Sequence, residues 1–135
     1  GRIPPIKYYT ALYNYTIWEY SGSEYNQVKK INQDVFAFCG IGDPDSFKNN
    51  LKKLHIPVKK FHAFKDHEKY QRNTIKTLED KISNSTCTAV IATEKDLVKL
   101  PDSFLEKFHI FALRVNHVLN NERAYLDDVL IWLNK

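Results

Sequence analysis

The chain has 135 residues, 43% hydrophobic and 27% charged, with 20 Lys and Arg against 16 Asp and Glu for a net charge of +4. That is long enough for one folded domain with a substantial core and too apolar for a disordered chain, while the charge is a mild bias toward anionic partners that does not by itself specify nucleic acid. No apolar run reaches the ~18–20 residues that span a bilayer, and Cys39 and Cys87 lie in apolar strand-like runs without the paired CxxC spacing of a zinc site. Two buried free thiols in a reducing compartment are the expectation. The sequence contains no Met and starts Gly1-Arg2-Ile3-Pro4-Pro5, which reads as a processed chain or an excised domain.

Lys7 to Tyr20 is rich in Tyr, Thr, Ile and Trp, and Tyr13, Tyr15 and Ile17 alternate with partly polar neighbours. That predicts an extended segment. Ser21-Gly22-Ser23 supplies a turn, and Glu24 to Ile31 returns as a second arm. The head of the chain is therefore expected to be a ribbon and not a core element.

From Asp34 the pattern changes. Asp34 to Cys39 is a nearly continuous apolar run, as for a strand buried on both faces. Gly40-Ile41-Gly42 breaks it, and Asp43-Pro44 opens a helix with Asp43 as N-cap and Pro44 in the first position. Phe47, Leu51 and Leu54 share one face of that helix. Val58 to Phe64 alternates as a second strand, and Asn73 to Ile82 is helical with Ile75, Leu78 and Ile82 as its stripe. Cys87 to Ala92 is a third strand. Thr93 caps a short helix from Glu94 to Leu100, and Pro101-Asp102 restarts a helical turn carrying Phe104 and Leu105. His109 to Val115 is a fourth strand, and Tyr125 to Leu133 a final amphipathic helix. Alternation of this kind predicts an α/β fold: a mainly parallel sheet of about four strands with helices on both faces, preceded by a β-hairpin ribbon. The expected division is a ribbon linker over residues 1–33 and an α/β domain over 34–135.

A parallel sheet binds ligands outside the carboxyl ends of its strands, and there the polar junctions fall together on one rim. Gly40 and Gly42 read as a tight turn or as part of a site; a GxG alone is no dinucleotide fingerprint, and no GxxxxGK(S/T) loop occurs in the sequence. Asp66-His67 reads as a cap followed by an exposed histidine, or as an imidazole placed for proton handling. Thr93 and Glu94 fit an ordinary N-cap with a first-turn carboxylate, whereas Lys95 and Asp96 go beyond capping. No metal is expected, since strand alternation turns His62 from Asp66 and His67. His55, His109 and His117 stand isolated. Lys48, Lys52, Lys53, Lys59 and Lys60 read as a solvated face, or as attraction to an anionic membrane surface at about 1 kcal/mol per basic residue.

Val35 to Phe47, reading VFAFCGIGDPDSF, then Asp66-His67 with Tyr70 three residues on, then Thr93 to Lys99, reading TEKDLVK, together resemble the C-terminal part of the tetraacyldisaccharide 4'-kinase (lipid A 4'-kinase) family of Gram-negative bacteria. The resemblance covers about residues 10–118. It implies a lid-like C-terminal domain of an enzyme that moves the γ-phosphoryl group of ATP to the 4'-hydroxyl of a lipid A disaccharide precursor at the cytoplasmic face of the inner membrane. In that family an N-terminal P-loop domain holds ATP and Mg²⁺. This stretch alone is then expected to be soluble, inactive and without a tightly bound cofactor. Its partners would be that P-loop domain, the lipid precursor and the inner-membrane surface, with no nucleic acid. By the same resemblance His67 pairs with an aspartate base of the N-terminal domain, and Asp66 positions the turn. Gly40, Gly42, Tyr70, Thr93, Glu94, Lys95, Asp96 and Lys99 form signature or interface positions. Lys95 or Lys99 would approach phosphate or hold Asp96 in an ion pair. Two alternatives remain open on the residues alone: a freestanding α/β module for an anionic small molecule, and a basic protein that docks on a membrane or nucleic acid.

Overall fold

A computed structural model describes residues 14–116. Residues 17–114 cluster as one compact unit; of the second unit only residues 14–16 and 115–116 are described, as strand ends. The expected helix from Tyr125 to Leu133 and the extended segment before Asn14 lie outside the described residues.

The elements follow the chain as strands β1 (Asn14–Ser21), β2 (Glu24–Val28) and β3 (Val35–Cys39), helix α1 (Pro44–Lys53), strand β4 (Val58–Ala63) and helix α2 (Arg72–Asn84). Strand β5 (Ala89–Thr93), short helices α3 (Glu94–Leu97) and α4 (Asp102–Leu105), and strand β6 (His109–Asn116) complete them. One 6-stranded sheet runs in the order β2-β1-β6-β5-β3-β4. β3 pairs in parallel with both β4 and β5, and β5 with β6, whereas β1 and β2 are antiparallel. The expected four parallel strands are present, but the hairpin is no separate ribbon. It extends the same sheet beyond β6, with Ile17 buried and Trp18 and Tyr20 packed on the core. The physical reason is that β6 would otherwise expose a row of unpaired backbone groups.

Both faces of the sheet are covered. Successive strand residues point to opposite faces, and the parallel register sets Ala37 beside Phe61. Phe61 meets the Phe47 ring of α1 at 6.0 Å, so α1 lies on the Ala37 face. Phe38, one residue on, packs with Leu78 and Ile82 of α2 and Phe104 of α4 on the other. The central strands are buried at every position of β3, which is why they read as unbroken apolar runs.

The helix boundaries have local causes. Asp43 accepts the Ser46 N–H at 3.0 Å and Pro44 begins the first turn of α1. α1 ends with His55 in the left-handed region at φ 56°, where its N–H reaches the Lys52 carbonyl and the Ile56 N–H reaches that of Leu51. This is a Schellman closure made without glycine. α3 stops at Leu97, sooner than the expected Leu100, although Leu97 and Leu100 both turn inward. Cys39 and Cys87 are buried and not joined in a disulfide.

Phe38 is fully buried, with Phe64, Tyr70 and Phe104 set edge-on around it at ring distances of 6.4, 6.0 and 6.3 Å. Phe38→Ala should therefore cost about 3–5 kcal/mol. Urea unfolding measures this, and an unchanged midpoint would contradict the central position of that ring.

Candidate functional site

In the parallel part of the sheet, β3 is followed in space by β4 on one side and by β5 on the other. The chain thus reverses its direction of winding between β3 and β5. The crevice outside the carboxyl ends of two such strands is where open α/β sheets bind ligands. Gly40 leaves β3 there, and the turn from Thr93 to Asp96 leaves β5.

The crevice is filled by a side chain of the protein itself. The Asp96 carboxylate has no exposed surface. Its Oδ2 accepts the Gly40 N–H at 3.1 Å and the Thr93 hydroxyl at 3.0 Å, and its Oδ1 accepts the Tyr70 hydroxyl at 3.0 Å. Thr93 also accepts the Asp96 N–H at 3.3 Å, as the N-cap of α3. Thr93-x-x-Asp96 has the spacing of a capping box, but the carboxylate takes the N-cap hydroxyl in place of its backbone N–H and reaches across to β3. Bonds to an ionised acceptor are stronger than neutral ones, and burial without them would be costly.

Gly40 has no room for a side chain. A Cβ there would sit 2.9 Å from Glu68 Cβ, 3.1 Å from the Tyr70 hydroxyl and 3.3 Å from Asp96 Oδ1. At Gly42 it would meet the Asp66 carboxylate at 3.2 Å. The loop after β4 wraps this point. Phe64 N–H bonds the Cys39 carbonyl at 2.7 Å, and His67 N–H bonds the Gly40 carbonyl at 3.0 Å. His67 and Tyr70 both adopt left-handed backbone, at φ 59° and 52°. Lys99 Nζ donates to the Glu68 carbonyl at 3.3 Å, and Glu68 Oε1 accepts the Thr74 hydroxyl at 3.0 Å.

The sequence-selected residues therefore divide. Gly40, Tyr70, Thr93, Asp96 and Lys99 come together in one braced cluster. Of the two roles open to Lys95 and Lys99, the ion pair with Asp96 is not formed: Lys99 bonds a carbonyl and Lys95 is exposed. Glu94 is exposed and pairs with Arg114 at 3.2 Å, whose guanidinium lies 5.4 Å from the Trp18 ring centre. Asp66 and His67 stand on the outer rim, with His67 Nε2 3.6 Å from Asp66 Oδ2 and the imidazole 90% exposed. His62 turns edge-on to Phe64 at 4.4 Å, and burial followed by the Lys81 charge lowers its pKa.

Two features escaped the sequence reading. Glu68 is buried, and nothing local to Asp66-His67-Glu68 distinguishes it. His109 is not isolated: its Nδ1 and Nε2 lie 2.8 Å from Gln33 Nε2 and Glu19 Oε2, partners that only sheet pairing brings near. Among the described residues no group of three or more His, Cys, Asp or Glu is placed to hold a metal ion, and no helix is long and apolar enough to cross a membrane.

Comparison with known proteins gives one consistent match. The family described as tetraacyldisaccharide-1-P 4'-kinase matches residues 6–132. A tetraacyldisaccharide 4'-kinase of Desulfotalea psychrophila is 32% identical over 103 residues, 76% of this chain and 29% of that protein. Another of Koribacter versatilis is 30% identical over 100 residues, 73% of this chain and 31% of its own length. One of Rhodopseudomonas palustris is 35% identical over 100 residues, 73% and 29%. The chain thus spans under a third of the length of these relatives. No solved structure matches it.

Two outcomes test the buried cluster. Tyr70→Phe leaves Asp96 Oδ1 without its donor and should cost about 1–3 kcal/mol by chemical denaturation; no loss would contradict the bond. Burial pushes the Cys39 thiol from its ordinary 9.0 up to about 11, against the Ile41 amide, which favours the thiolate. Burial, then the Asp96 carboxylate, also raises the Tyr70 hydroxyl. Between pH 9.0 and about 11 the unfolded chain then holds fewer protons at Cys39 than the folded one, so stability falls as pH rises. Cys39→Ala should flatten that alkaline decline in melting temperature relative to the parent, and an unaltered slope would contradict it.

Proposed function

The chain belongs to the tetraacyldisaccharide-1-P 4'-kinase family, and from that membership we propose that it is the C-terminal α/β part of a kinase. In this reading the whole enzyme transfers the γ-phosphoryl group of ATP to the 4'-hydroxyl of a tetraacyldisaccharide 1-phosphate, a lipid A precursor. Residues 34–135 act as a lid, and residues 1–33 lead into it from a P-loop domain.

The observation that carries the reading is the contrast between a sealed crevice and an open rim. Phosphoryl transfer needs groups that hold and neutralise phosphate. Three amides at this crevice are already engaged. The Gly40 N–H goes to Asp96, the Ser46 N–H to Asp43 and the Asp96 N–H to Thr93. The sequence holds no GxxxxGK(S/T) loop, and the described residues offer no carboxylate cluster for Mg²⁺. In this reading ATP and Mg²⁺ are held by the P-loop domain and not by this stretch. The same engaged amides weigh against a freestanding module for an anionic small molecule.

What this stretch offers is the solvent-open Asp66-His67 pair on a rigid support. Facing the other domain, the His67 imidazole orients an aspartate base there and helps receive the proton of the acceptor hydroxyl. Lys52 and Lys53 are exposed on α1, and a basic face of this kind favours an anionic leaflet at about 1 kcal/mol per residue. That agrees with work at the cytoplasmic face of the inner membrane.

His67→Ala in the full-length kinase should lower turnover by about 10²-fold or more under saturating substrates, and unchanged turnover would sink the role of His67. Calorimetric titration of residues 1–135 alone with ATP and Mg²⁺ should give no tight binding. Tight, Mg²⁺-dependent binding would favour the freestanding module.

A further inference from the structure

The His67 imidazole makes one polar contact, at 3.6 Å to Asp66, and is 90% exposed. Side-chain packing does not hold it, so its place depends on the backbone beneath. That backbone is in the left-handed region at φ 59°, which a histidine keeps only where the surroundings enforce it.

Besides the Lys99 bond to the next residue's carbonyl, two ties hold it, and both lead to Asp96. The first runs through Gly40, whose C=O accepts the His67 N–H at 3.0 Å and whose N–H donates to Asp96 Oδ2 at 3.1 Å. Glycine is the residue most free to rotate about its Cα. Its N–H, held on a buried carboxylate, fixes the peptide plane before its Cα, and the His67 N–H holds the carbonyl of the plane after it, so this glycine is pinned on both sides. The second tie runs through Tyr70, three residues after His67, whose hydroxyl donates to Asp96 Oδ1 at 3.0 Å. Phe38 and Phe64 hold that ring edge-on, and Tyr70 is itself left-handed at φ 52°. One carboxylate thus anchors the segment from His67 to Tyr70 at both ends.

We propose that Asp96 is a positioning residue for His67, acting through the Gly40 backbone and the Tyr70 hydroxyl. It touches neither substrate nor nucleotide. This rests on the reading that His67 serves phosphoryl transfer, and it adds what keeps an exposed imidazole in register.

A double-mutant cycle in the full-length kinase tests it. Asp96→Ala should lower kcat by about 10- to 100-fold, the cost of misplacing a catalytic group by about an ångström, with both KM values unchanged. In a His67→Ala background the same substitution should change kcat by less than about twofold, because the group it positions is gone. An equal fall in both backgrounds would show a general structural role and overturn the proposal. Should Asp96→Ala fail to fold, Tyr70→Phe carries the same cycle with a smaller effect in the same direction. A second readout is independent of activity. Amide hydrogen exchange at His67 should accelerate in the variant while β3 and β5 stay protected, and unchanged exchange at His67 would overturn the proposal. If His67→Ala alone leaves turnover unchanged while exchange at His67 still accelerates in the variant, the catalytic reading fails and the anchoring of the loop by Asp96 stands.

Discussion

A single buried carboxylate organises the working end of this fold. Where the winding of a parallel sheet reverses, the backbone N–H groups beyond the strand ends point into a crevice and must find acceptors. In nucleotide-binding sheets of this kind a phosphate can supply them. Here Asp96 does so from within the chain, taking the Gly40 N–H and two hydroxyls. Once that acceptor is built in, much else follows. Gly40 must lack a side chain, Tyr70 must reach inward through the core, and the loop after β4 must close over the junction.

The rim consequently has an inner and an outer layer with different physics. Inside, the Asp96 carboxylate takes three donors at low exposure, so these groups contribute rigidity and have little capacity left for a ligand. Outside, Asp66, His67 and Lys95 are water-exposed, where charges are screened and ion pairs contribute little. The lysines divide similarly. Lys59 donates to Thr86 at 2.8 Å and Lys48 lies 5.6 Å from the Phe61 ring centre. Both help close the edge beside β4, the last strand of the sheet, where an irregular register near Val58 to Lys60 and paired lysines discourage further strand addition. Part of the basic face thus has a structural reason independent of any membrane.

The sequence was legible where the cause of a structure is local. The unbroken apolar runs of β3 and β5, Asp43-Pro44 at the start of α1 and Thr93 at the start of α3 each carry their own signal, and each lies within a residue or two of its expected place. The helix ends were harder, because His55 and Thr86 take left-handed backbone at φ 56° and 63° where glycine would have marked the stop. Pairings across the chain were not legible. Asp96 meets Gly40 across 56 residues and Tyr70 across 26, and the local pattern around it reads as a capping box. The hairpin gave only an alternation, which is the same for an isolated ribbon and for strands that extend a sheet. Its membership in the sheet depends on β6, about ninety residues later, as the Glu19 to His109 contact shows with a separation of 90.

The division into a sealed interior and an exposed histidine also bears on the proposed closure against a second body. An imidazole in water interacts weakly, and the same group gains strength when a partner excludes solvent around it. Closure is costly when it must also order a loop, since each side chain immobilised at an interface loses about 0.5–1.5 kcal/mol of rotamer freedom. Here the backbone from His67 to Tyr70 is ordered before any partner arrives, through contacts that lie wholly within the chain. In the proposed reading the partner then has only the ring of His67 to immobilise. The strain of two left-handed residues is already carried by this fold, so the proposed closure would not have to supply it. A histidine buried in the same crevice would be just as rigid but out of reach. One placed on an unbraced loop would be reachable but would lose the benefit of prior orientation. Exposure of the ring over a fixed backbone meets both requirements, and it does so because the anchoring carboxylate lies beneath the loop rather than beside the ring.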